Sequence, residues 1–110
     1  MKLAVFHPKA LATIREFPEE VRRELGKAIF DLQKGEKLGM PVSRPMSSVA
    51  VGAEELRLKD RSGIYRVFYY TRLPDRIAIF QAFVKKTQET PKHEIDLGKK
   101  RLKEFLNEKI

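Results

Sequence analysis

Arg57 and Lys59 alternate with Leu56 and Leu58 in the run Glu54–Lys59. A strand there puts both cations on one face and both leucines on the other. Arg66 sits inside the β-rich run Ile64–Tyr70, and Lys85 and Lys86 end the apolar run that begins at Ile77. Guanidinium forks match phosphate oxygens, and a lysine supplies a point charge or, with a lowered pKa, a base. Cations crowded on one face repel each other and lose hydration, and an arriving anion relieves both costs. The chemistry that suits this set is capture of a phosphate backbone. Between Leu56 and Lys86 there are eight Lys or Arg and two Asp, against a chain total of 23 Lys or Arg and 15 Asp or Glu. Most of the excess positive charge therefore belongs to one sheet-forming segment.

The elements that must hold these residues are legible in outline. Leu3–Phe6 reads as a first strand, and Pro8 opens a short helix with Leu11 and Ile14 spaced by three. A second helix spans about Pro18 to Lys34, with Val21, Leu25, Ile29 and Leu32 as its apolar stripe and Gly35 as its stop. This pair is expected to be a helical hairpin lying on a sheet. The connection 35–53 carries Lys37 and Arg44, either of which reaches a phosphate or simply lies in solvent. Three strands follow, with turns at Asp60–Gly63 and Leu73–Arg76. Thr90 is expected to cap a last helix with Pro91 at its first position. Ile95, Leu102, Phe105 and Leu106 mark its apolar side, and Lys99, Lys100, Arg101, Lys103 and Lys109 its cationic side. The expected architecture is α+β: β-α-α-β-β-β-α, a small, largely antiparallel sheet with the helical hairpin on one face and a C-terminal helix.

Composition narrows the function. A chain of 110 residues, 42% hydrophobic and 35% charged, is expected to form one domain over residues 1–110. The absence of cysteine excludes disulfides, thiolate catalysis and cysteine-based metal sites, and fits a reducing cytoplasm. The two histidines, His7 and His93, are too far apart in sequence to suggest a metal site, so neither metal nor cofactor is expected. No apolar run approaches the ~20 residues of a membrane span. The excess of positive charge favours a polyanionic partner, or an acidic protein.

The segment ELRLKDRSGIYRVFYY, followed by FVKKTQETPKHEI, resembles the RelE/ParE toxin superfamily. It is most similar to the phage-derived Gp49-like, HigB-type branch, and the likeness covers about residues 54–106. The resemblance implies the RelE-like fold and the toxin of a type II toxin–antitoxin pair. In the endonuclease branch it implies a cytoplasmic enzyme that enters the ribosome and cuts messenger RNA, with a helix-turn-helix antitoxin as partner. It places Arg57, Lys59, Arg66 and Lys86 in the site, with Lys85 beside them. RelE-like toxins often carry a tyrosine or histidine near the start of the last helix. This chain has Lys92 and His93 there, which makes His93 the candidate for that group.

The implied chemistry needs no metal. The 2′-hydroxyl attacks the adjacent phosphorus, and the protein orients the attack, takes the 2′ proton, neutralises the phosphorane and protonates the leaving 5′ oxygen. Lys59 is the candidate base, Arg57 and Arg66 the clamps, and Lys86 or His93 the acid. Bland roles exist for each: Arg57 and Lys59 as a solvent-facing strand, Arg66 in a structural ion pair, Lys85 and Lys86 as strand-end solubilisers, His93 as a surface residue. Tyr65, Tyr69 and Tyr70 offer base stacking or core packing. Arg61, Arg72 and Arg76 lie in or beside turns and provide diffuse attraction to RNA. Two other functions fit the same residues: a ParE-like gyrase inhibitor, and a non-catalytic basic module that binds RNA or protein.

Overall fold

The computed structural model describes residues 1–87 and 89–107; Lys109, expected on the cationic side of the last helix, lies outside the described residues. Strand β1 (Leu3–Phe6) leads into helices α1 (Pro8–Arg15) and α2 (Glu19–Gln33). Then come β2 (Ser43–Pro45), β3 (Ala53–Asp60), β4 (Gly63–Tyr70), β5 (Arg76–Lys85) and α3 (Lys92–Leu106). The sheet order is β1-β5-β4-β3-β2, parallel between β1 and β5 and antiparallel elsewhere. The fold is the expected α+β arrangement with one added strand. β2 lies inside what the sequence presents as an irregular connection. Three residues containing a proline carry no strand signal of their own, and β2 exists because β3 offers it an edge.

Helix α2 forms for the reason its spacing implies. Val21, Leu25, Ala28, Ile29 and Leu32 are buried on one side against Leu56, Leu58, Val67, Ile77 and Ile79 of the sheet. Tyr65 and Tyr69 belong to this core, so neither is available to stack on a base. A second core fills the other face, where Leu102 and Phe105 of α3 pack on Phe68, Ala78, Phe80 and Phe83 with Met46 and Val49 of the β2–β3 connection. Leu106, expected on this stripe, is exposed, and Gly98 takes the place at the sheet. A Cβ there would sit 2.9 Å from the Phe68 ring, so glycine is what lets the helix approach. Helix α3 starts at Lys92, one residue later than expected, because the Thr90 hydroxyl is turned toward Glu55 instead of capping the helix.

The turn after β3 sets the register of the whole face. The Asp60 carboxylate accepts hydrogen bonds from Ser62 N, Ser62 Oγ and Gly63 N at 2.8, 2.6 and 3.2 Å. This closes a two-residue turn that pairs Asp60 with Gly63 and therefore Arg57 with Arg66. A slip of one residue would send every cation to the helical core.

The two helical glycines predict opposite outcomes. Gly98→Val should cost roughly 1–3 kcal/mol by overpacking against Phe68. Gly26→Ala, at an exposed α2 position with nothing within 4 Å, should add up to about 1 kcal/mol through helix propensity. Urea denaturation measures both; equal midpoints for the two variants would refute the close-packing account of Gly98.

Candidate active site

On the α3 face of the sheet, side chains fall into cross-strand rows. Moving from the open end inward, the rows are Lys59–Ile64–Lys85, Arg57–Arg66–Phe83, Glu55–Phe68–Gln81 and Ala53–Tyr70–Ala78. Helix α3 covers the aromatic rows and stops short of the cationic ones. The uncovered end is a cleft of about 670 Å³ lined by Arg57, Lys59, Arg66, Lys85 and Lys86, with Pro41, Val42 and Ile64 as apolar rims. All five basic residues expected from the sequence meet here. His93 does not. It is 73% exposed on α3, with its Nε2 3.1 Å from Glu94 Oε2, and it lines a separate neighbouring cavity.

The cleft has a buried floor and an exposed rim. Arg66 and Lys85 are buried, Arg57 is half-buried, and Lys59 and Lys86 are exposed. Arg57 and Arg66 stand directly opposite each other, a like-charge pair that destabilises an antiparallel sheet unless something compensates. The compensating group is Glu55, which the sequence analysis does not single out. Its carboxylate is fully buried. Oε1 accepts from Arg44 Nε at 2.8 Å and lies 3.7 Å from Arg66 Nε. Oε2 accepts from the Thr90 hydroxyl at 3.0 Å. The only sequence sign of Glu55 is its place on the cationic face of β3, two residues before Arg57. Arg44 reaches the same face because β2 pairs it with Glu55, so its charge is committed to this carboxylate.

One buried carboxylate cannot balance this many cations. Burial lowers the Arg66 guanidinium pKa, and Glu55 only partly offsets this while Arg57 and Arg44 add to it. Burial also lowers the Lys85 pKa, with Arg66 next in importance. Nε of Arg57 and of Arg66 are buried without a hydrogen-bond partner among the described residues. A polar group left so is costly, and a phosphate oxygen is the kind of acceptor that would satisfy it. Of the turn arginines, Arg76 pairs with Asp75 at 3.2 Å, and Arg72 packs over Gly52, where a Cβ would lie 2.6 Å from its Nε. Among the described residues no three His, Asp or Glu side chains gather as a metal would require. No helix among them is long and apolar enough to cross a membrane.

The profile of the family described as phage derived protein Gp49-like (DUF891) matches residues 12–103, which includes all of α2, most of α3 and the whole cationic face. No curated protein matches the chain.

Lys85 predicts a measurable tension. Lys85→Met removes a desolvated, repelled cation and should raise the melting temperature at low ionic strength, at roughly 4–8 °C per kcal/mol gained. Salt screens the repulsion, so the gap between variant and parent should shrink as salt is added. The native pKa lies below the unfolded one, so the parent's stability should climb as pH rises from the first toward the second, a slope Lys85→Met should lose. Calorimetry across pH and salt measures all three. A variant less stable than the parent at low salt would refute the account.

Proposed function

The chain belongs to the Gp49-like family of phage-derived proteins, and from that membership we propose that it is the toxin of a type II toxin–antitoxin pair, acting as a ribosome-dependent messenger-RNA endonuclease. The observation that carries the reading is the direct pairing of Arg57 with Arg66 above a single buried carboxylate, in a cleft flanked by three lysines. Such a site suits an anion, and the anion this reading assigns to it is a phosphodiester of single-stranded RNA.

The reaction is attack of a 2′-oxygen on the neighbouring phosphorus, with loss of the 5′-oxygen. It leaves a 2′,3′-cyclic phosphate on one fragment and a 5′-hydroxyl on the other. Arg66, fixed in the floor, and Arg57 beside it hold the nonbridging oxygens and neutralise the charge that grows on them. Sequence reasoning favours Lys59 as base, but Lys59 stands on the exposed rim. Lys85 suits the role better, since its lowered pKa enlarges the neutral fraction that can take the 2′ proton. Lys59 and Lys86 then serve as rim cations, one of them donating to the leaving oxygen. His93 has no part in this scheme. The partners are the ribosome and its messenger in the cytoplasm, and a helix-turn-helix antitoxin that silences the toxin.

Induced expression followed by 5′-end mapping, with and without ongoing translation, tests the reading. Cuts should appear within translated messenger and vanish when translation is blocked. Arg66→Ala and Lys85→Ala should each slow cutting by about 10²–10⁴-fold. In the parent the rate should rise with pH up to the lowered Lys85 pKa, because the neutral amine is the active form. Lys85→Arg should abolish that rise. Intact messenger together with loss of gyrase supercoiling would assign the chain to the gyrase-inhibiting branch instead.

A further inference from the structure

Arg44 and Arg66 compete for one carboxylate, and the hydrogen bond goes to Arg44. Strand β2 puts Arg44 directly opposite Glu55, and its Nε donates to Glu55 Oε1 at 2.8 Å. On β4 the residue opposite Glu55 is Phe68, so Arg66 reaches the carboxylate only on the diagonal. Its Nε stays 3.7 Å from the same Oε1, too far for a hydrogen bond. A ring of contacts holds the carboxylate in this orientation. Arg44 Nη2 donates to the Thr90 hydroxyl at 3.3 Å, and that hydroxyl donates to Glu55 Oε2 at 3.0 Å. Both carboxylate oxygens are therefore satisfied without a hydrogen bond from Arg66. Arg66 lines the cationic cleft and is 6% exposed. Its Nη1 donates to Tyr65 O at 3.2 Å, and its Nε has no hydrogen-bond partner among the described residues.

We propose that Arg44 is a positioning residue of the cationic cleft: by occupying Glu55 it keeps the Arg66 guanidinium from closing on that carboxylate and leaves it open to a phosphate. The inference rests on the reading of the cleft as a phosphodiester site. A buried carboxylate that loses a donor is costly until another donor replaces it. Without Arg44 the replacement is Arg66 Nε, and less than about 1 Å of movement separates the present spacing from a hydrogen bond. Arg66 and Glu55 would then form a charge-assisted pair that an arriving phosphate must break. The arrangement also gives a task to two features that local sequence leaves unexplained. Strand β2, three residues with no strand signal of their own, is what places Arg44 opposite Glu55. The Thr90 hydroxyl closes the ring instead of capping α3. Arg44 itself stands outside the lining of the cleft, so it acts through Glu55 and not by touching the phosphate.

Two substitutions at one position test it. Arg44→Met and Arg44→Gln remove the same charge, but the glutamine amide nitrogen stands at the same point of the side chain as the arginine Nε and can donate to Glu55. If closure leaves Arg66 open in about one molecule in ten of Arg44→Met, the apparent Kd for a 2′-O-methyl trinucleotide should rise about tenfold. Arg44→Gln should lose only the attraction of one half-exposed charge and stay within about threefold of the parent. In messenger cutting the same ranking should appear in KM and not in kcat, because the closed pair is broken on binding. Another readout needs no ligand. In nuclear magnetic resonance spectra of the arginine side chains, the Arg66 Nε–H proton should move downfield in Arg44→Met and hold its parent position in Arg44→Gln. In the parent the same proton should move when the trinucleotide binds. Equal losses of affinity in the two variants would overturn the inference, because charge alone would then account for them. So would an Arg66 proton that ignores Arg44→Met, or one that ignores the trinucleotide in the parent. A parent that cuts no messenger but shows the contrast between the two variants in affinity and in the Arg66 proton would sink the endonuclease reading and leave the role of Arg44 standing.

Discussion

The carboxylate of Glu55 is the constraint on which the rest of this face depends. It sits fully buried at the boundary between the aromatic half of the sheet and the cationic half. A carboxylate buried there is costly unless it is paired. It stays paired because three separate segments send a group to it: Arg44 of β2 and Thr90 of the lead-in to α3 donate hydrogen bonds, and the Arg66 guanidinium of β4 stands 3.7 Å away as a counter-charge. Each of those contacts also positions the group's own segment. The marginal strand β2 is pinned through Arg44, the approach to α3 is pinned through Thr90, and the Arg66 guanidinium is held in the cleft floor. Removing one partner of such a network costs more than the network contributes as a whole, since the others are left buried and uncompensated.

Around that anchor, the sheet separates stability from function along its length. Beneath α3 lie Phe68, Phe80 and Phe83, with Phe68 and Phe83 in an edge-to-face pair whose centroids are 5.5 Å apart. Helix α3 lies on them closely because Gly98 offers no Cβ. The helical hairpin seals the opposite face under both halves. The cationic rows contribute little to either core, and their like charges oppose folding. A surface under this much internal repulsion survives because two cores, not one, hold the sheet beneath it.

Much of this was legible in the sequence, and the part that was not has a common cause. Strong periodic signals transferred well: the Val21–Leu32 stripe, the Leu56/Leu58 against Arg57/Lys59 alternation, and the Asp60–Gly63 turn all appear as expected. The turn in particular made the Arg57–Arg66 pairing deducible. The misses are residues whose roles depend on distant partners. Glu55 reads as one more acid in a charged stretch until Arg44, 11 residues away, and Thr90, 35 residues away, are brought to it. Arg101 reads as one of a run of solvated cations until Gln81, 20 residues away, takes its guanidinium. Thr90 reads as a helix cap, and loses that role to a buried carboxylate that needs its hydroxyl more. His93 illustrates the reverse case. Its position in the chain matches an expected catalytic group, but the helix that carries it turns its ring away from the cleft and toward Glu94.

The division of the cations into floor and rim bears on how such a site works. In the proposed reaction, a buried group such as Arg66 would reorganise little as charge develops on the substrate, which would make its field effective in the transition state. Lys59 and Lys86 are exposed, and in the same scheme they would steer and exchange protons rather than hold geometry. Placing all the cations in the floor would raise the desolvation cost without limit. Placing all of them on the rim would leave the phosphate loosely held. The β-strand alternation does not create this gradient, because it assigns faces and not depths. Depth follows position in the sheet: along β3, Arg57 stands one row closer to the buried Glu55 than Lys59 and is the deeper of the two, while within the outermost row Lys85 on β5 is buried and Lys59 on β3 is exposed. On β5 the neighbouring residues Lys85 and Lys86 are separated by the end of the strand itself. Position across the sheet as well as along it therefore decides which basic residues are fixed in the floor and which stay on the rim.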